Sequence, residues 1–96
     1  MYNEKSEALD TVCHAMFGQA QPIFPTVMWA ACFPMEVILY ALVEAELKRR
    51  RTPGIEVQQI SNFAHTVMNR RYREEQKQRR MQTIEGKRVI QVGPAA

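Results

Sequence analysis

Arg70, Arg71, Tyr72, Arg73, Lys77, Arg79 and Arg80 crowd one stretch of an otherwise ordinary 96-residue chain. Guanidinium groups grip phosphate oxygens through paired N–H donors, and an aromatic ring among them can stack on an unpaired base. A second basic run, Lys48-Arg49-Arg50-Arg51, lies earlier in the chain. The chemistry on offer is phosphate binding, so the expected partner is a nucleic acid held chiefly by its backbone. Binding of that kind weakens steeply as salt rises, because counterion release drives it. An acidic protein surface would satisfy the same charges.

The basic residues also have local uses. Glu75 stands four residues before Arg79 and Glu74 three before Lys77, spacings that favour ion pairs along a helix. Lys48 to Arg51 would complement the negative end of a helix dipole. In composition the Arg70–Arg80 segment resembles arginine-rich RNA-binding peptides, a likeness confined to that short stretch. What it implies is a helix entering a nucleic-acid groove.

Other chemistries find little support. Cys13, His14, Cys32 and His65 are the soft metal-ligand types, and their spacing matches no compact zinc pattern. Cysteine–histidine catalysis needs a third orienting group and an oxyanion site, and neither is proposed by any motif. No glycine-rich phosphate loop and no Gly-x-Ser-x-Gly turn occurs. Glu44 and Glu46 are two apart and so point to different sides of a helix. No metal, no cofactor and no enzyme are expected. Ile60 to Arg73 loosely resembles a helix-turn-helix unit, with Thr66-Val67 where a reading helix would begin. The turn such a unit needs is missing, since Ser61 to His65 carries no breaker.

The elements that must position the basic residues are helical. Ala8, Leu9, Val12, Cys13, Met16 and Phe17 recur at spacings of three and four, which predicts a first helix over about 5–17 with Ser6 as its N-cap and Gly18 as its stop. Met1 to Lys5 is expected to fray. Pro22 and Pro25 mark a connector, and 26–32 has the makings of a short fourth helix. Pro34 opens a helix over 34–51 in which Val37 to Val43 is apolar on every side. Thr52-Pro53 caps and starts a long helix over 53–82, whose buried face is Val57, Ile60, Phe63, Ala64, Val67, Met68 and Tyr72. Residues 83–96 read as an extended tail or short strand. The reading is one small all-α domain of three helices, or four if 26–32 forms one, with a long basic C-terminal helix. In an antiparallel pair of the last two helices, the Lys48–Arg51 run meets the start of the long helix, far from its basic end.

Charge is divided along the chain. Residues 1–47 hold one base and six acids, leaving −5, while 48–96 hold twelve bases and four acids, leaving +8. Opposite halves suit a homodimer, and so does the all-round apolar helix, which one small domain cannot easily cover. Ile23, Phe24, Trp29, Phe33, Ile38 and Tyr40 are the expected partner interface. Residues 26–43 approach the length of a membrane crossing, but Pro34 splits the run and an ionised Glu36 would cost about 2.5–3.5 kcal/mol inside a bilayer. Two cysteines make no disulfide framework and no cleavable signal opens the chain, so a reducing, cytoplasmic setting is expected, with both thiols buried. The functional expectation is a small non-enzymatic accessory or regulatory protein that contacts nucleic acid. The alternatives are a protein-binding inhibitor or assembly adaptor using the apolar 23–43 region, and a small single-pass membrane protein.

Overall fold

A computed structural model describes the backbone of residues 3–92 and the side chains of residues 3–81. The described chain is all α: α1 (Glu4–Phe17), α2 (Thr26–Cys32), α3 (Met35–Arg51) and α4 (Val57–Val92). Helix α1 starts three residues earlier than Ser6 as N-cap would place it. Asn3 is the N-cap, and Ser6 is its reciprocal partner: Ser6 N–H donates to Asn3 Oδ1 at 2.9 Å and Asn3 N–H to Ser6 Oγ at 3.0 Å. These paired bonds satisfy donors that a free helix start leaves open. Gly18 ends the helix with φ +74, a left-handed conformation that residues with a Cβ rarely adopt.

Lys5 does not fray. Its Nζ donates to the carbonyls of Ala30 at 3.0 Å and Phe33 at 2.6 Å, so a cation from α1 covers the carbonyl end of α2. Asp10 accepts from Thr26 Oγ1, tying α1 to the start of α2. Pro34 separates α2 from α3, and no helix among the described residues is long and apolar enough to cross a membrane.

The core gathers Leu9 and Cys13 from α1, Phe24 from the connector, and Trp29 from α2. Val37, Ile38, Ala41, Leu42 and Ala45 come from α3, and Ile60, Ala64, Val67 and Met68 from α4. An aromatic chain threads it. Phe17 stacks on Phe24 at 5.1 Å, Phe24 meets Trp29 edge-on at 6.1 Å, and Phe33 meets both His65 (6.1 Å) and Tyr72 (5.7 Å) edge-on. Trp29 is fully buried, and its Nε1–H finds the acceptor it needs in His65 Nδ1 at 3.1 Å. Cys13 is buried too, and burial, helped by the Asp10 charge, pushes its thiol up to about 12. Cys32, expected inside, is exposed: it lies at the end of α2, away from the core side.

Helix α4 departs from expectation at both ends. It begins at Val57, after a turn in which Gly54 takes φ +82, so Thr52-Pro53 closes α3 instead of opening α4. At the other end it runs through Val92 with no strand over 87–92; residues 93–96 of the expected tail lie outside the described residues. It continues through Gly86, because one glycine inside a long helix costs only about 1 kcal/mol.

Candidate nucleic-acid interface

Helices α3 and α4 pack antiparallel. Lys48 Nζ stands 5.6 Å from the Phe63 ring centre, and the Arg71 guanidinium 4.4 Å from that of Tyr40. Carried forward in that register at 1.5 Å per residue, α3 begins level with about residue 76. From about Lys77 onward α4 therefore runs past α3. At 36 residues it measures about 54 Å and sets the 61 Å long dimension of the molecule.

The seven expected phosphate-binding positions of α4 separate into two groups. Arg70, Arg73, Lys77 and Arg80 are exposed, and at 3.6 residues per turn they fall within about a quarter turn of one another. Ile60, Ala64, Val67 and Met68 occupy the other side of the same helix, in the core. The four cations form a stripe facing away from the protein. None of them makes an ion pair with another described residue. Arg71 and Tyr72 lie off the stripe. Arg71 is half-buried, forms an ion pair with Glu75 at 3.3 Å and covers the Tyr40 ring. Tyr72 is half-buried against Phe33, so its ring is committed to the edge of the core and not free to stack on a base. Arg79 is exposed but sits on a different side of the helix from the stripe. Glu75 pairs with Arg71, four residues before it, and the expected Glu74–Lys77 pair does not form among the described residues.

The second basic run is engaged by its own helix. Glu46 accepts from Arg49 Nε at 2.8 Å and from Arg49 Nη2, and from Arg50 Nε at 3.0 Å. Those bonds, Arg49's first, hold the Glu46 carboxyl down at about 2. Arg51 Nε donates to the Leu47 carbonyl at 3.2 Å, which is helix-end capping. Lys48 to Arg51 thus lie at the opposite end of the α3–α4 pair from the stripe, with much of their charge answered locally.

Sequence periodicity did not single out the neutral residues that continue the stripe toward the start of α4. Gln58, Asn62, Thr66 and Asn69 share its side of the helix at spacings of three and four. Gln58 Nε2 donates to Asn62 Oδ1 at 3.1 Å and Thr66 Oγ1 to the Asn62 carbonyl at 3.0 Å. A groove of about 440 Å³ runs beside them, with Pro22, Ile23, Pro25 and Met28 as its other wall. Counting back from Arg70 in helical steps would have found these positions.

The expected partner interface is largely internal. Phe24, Trp29, Phe33 and Ile38 are buried within the chain itself, because α1, α2 and α4 close over them. Ile23 is half-buried and Tyr40 remains exposed. Other large apolar side chains left open are Leu39, Val43 and Leu47 on α3, Met28 on α2 and Met81 on α4. Compared with protein-family models, with curated proteins and with solved structures, the chain matches none.

Proposed function

We propose that this protein is a small non-enzymatic accessory or regulatory factor that contacts nucleic acid through the outward stripe of α4. The observation that carries the reading is the placement of Arg70, Arg73, Lys77 and Arg80 on one exposed quarter turn, opposite the core, without ion pairs among the described residues. A rod about 10–12 Å wide, basic along one side and overhanging its own domain, has the dimensions that fit a major groove. Phosphate contacts from the stripe would set position and affinity. Asn62, Thr66 and Asn69, in line with it, carry the amide and hydroxyl groups that reach base edges.

Arg71 and Tyr72 serve this reading indirectly, by fixing α4 against Tyr40 and Phe33 so that the stripe is presented rigidly. The test is a gel shift with duplex and single-stranded oligonucleotides at two salt concentrations. A complex at low salt that dissolves at high salt is expected, and no complex even at low salt removes the reading.

A further inference from the structure

The second unpartnered surface lies on α3. Leu39, Val43 and Leu47 are 40%, 56% and 42% exposed, on the side of α3 opposite the buried Val37, Ile38, Ala41, Leu42 and Ala45. Three large apolar side chains at successive helical turns form a continuous strip, not scattered exposure. The strip has charged ends of opposite sign: Glu36 at the α3 N-terminus and Arg50 near its C-terminus, both exposed and within about a quarter turn of the apolar three.

The order of these residues is self-complementary. Leu39 and Leu47 stand equally far before and after Val43, and so do Glu36 and Arg50. We infer that a second copy of this chain covers the strip, its α3 antiparallel to the first about a two-fold axis at Val43. In that pairing Val43 meets Val43, each Leu39 meets a Leu47, and each Glu36 meets an Arg50. A two-fold contact demands this reciprocity, residue i on j and j on i. The parallel alternative stacks Glu36 on Glu36 and Arg50 on Arg50, which is repulsive. Arg50 remains available for the second contact. Its side chain is 70% exposed and shares Glu46 with Arg49, which takes two of that carboxylate's bonds.

Tyr40 sits at the margin of the strip, one ring face already under Arg71, and would form the rim. A contact of six residues a side is small beside a standard interface of about 20–30, so the dimer should be a micromolar one. The inference stands apart from nucleic-acid binding. Were both correct, the two-fold would point the two α4 ends in opposite directions and give one assembly two basic stripes.

The test is sedimentation velocity on the full chain from low micromolar to near-millimolar concentration, without nucleic acid. A concentration-dependent dimer is expected. A chain that stays monomeric throughout overturns the inference, and would leave the strip to a different protein or to lipid. Val43→Asp brings two carboxylates together at the axis and should weaken the dimer roughly a hundredfold, about two steps of 1.4 kcal/mol. Because Val43 is exposed, helicity by circular dichroism should be unchanged. The decisive arm is a charge exchange. Glu36→Arg and Arg50→Glu should each weaken self-association, whereas an equimolar mixture of the two variants should form a heterodimer in which both end contacts are attractive again. Single variants that dimerise like the parent, or a mixture no tighter than either alone, would falsify the antiparallel register.

Discussion

Replacing Arg70, Arg73, Lys77 and Arg80 together by glutamine removes four charges while keeping long, helix-compatible side chains. All four are exposed and unpaired among the described residues, so the fold should hold, with circular dichroism as the control. If each cation neutralises one phosphate, the slope of log affinity against log salt on duplex should be about −3.6, from about −0.9 per contact. A fourfold rise in salt, from about 50 to about 200 mM, then weakens duplex binding about 150-fold, and single-strand binding about 50-fold at about −0.7 per contact. The quadruple variant should lose this slope, and each single variant about 0.9 of it on duplex. Fluorescence anisotropy of labelled oligonucleotides across a potassium chloride series gives both quantities. The companion variant replaces Lys48, Arg49 and Arg50 by glutamine and should leave the slope nearly unchanged, because Glu46 already answers much of that charge. A quadruple variant that keeps the parental slope refutes the assignment, as does a slope that disappears with the Lys48–Arg50 substitutions instead.

Four further outcomes follow from the core and its caps. His65→Leu strips the buried Trp29 Nε1–H of its acceptor and should cost about 1–3 kcal/mol in urea unfolding. Trp29 is the chain's one tryptophan, so its emission follows the same transition; a loss of only a few tenths would show that the bond contributes little. Lys5→Met keeps the length of the side chain but leaves the carbonyls of Ala30 and Phe33 without their cationic donor. It should cost about 1–2 kcal/mol and speed amide exchange in α2 ahead of the rest of the molecule. Of the two thiols, Cys32 should react with Ellman's reagent in the folded protein and Cys13 only after unfolding. Because the fold holds Cys13 protonated up to about 12, against about 9 for a free thiol, its contribution is intact below about pH 9. That contribution is lost as pH climbs toward 12, so Cys13→Ala should flatten this part of the alkaline stability profile.

Much of the architecture was legible in the chain. Periodic apolar residues, Gly18 and Pro34 placed α1 and α3 to within a residue or so and split the 26–43 run into two helices. Boundaries failed where several residues competed for one role. Asn3 and Ser6 are both competent caps, and the side-chain bonds that decide between them are visible only in three dimensions. Thr52-Pro53 reads equally well as an ending or a beginning, and the left-handed Gly54 settles it as an ending. The basic segment was legible as a concentration of positive charge but not as a stripe. Arg71 and Tyr72 look identical in kind to their neighbours until α3 and Phe33 are laid beside them.

Local rules determined that this chain is helical, where the helices break, and that its charge divides into an acidic and a basic half, since each of those follows from neighbours within a turn or two. Tertiary structure alone decided which side of α3 is inside. A helix apolar on every side has no preferred face until something packs on it. Once α1, α2 and α4 cover Ile38 and its companions, Leu39, Val43 and Leu47 are left facing water. The same packing chose four of the six cations: burial of Ile60, Ala64, Val67 and Met68 turns Arg70, Arg73, Lys77 and Arg80 outward, and draws Arg71 and Tyr72 in.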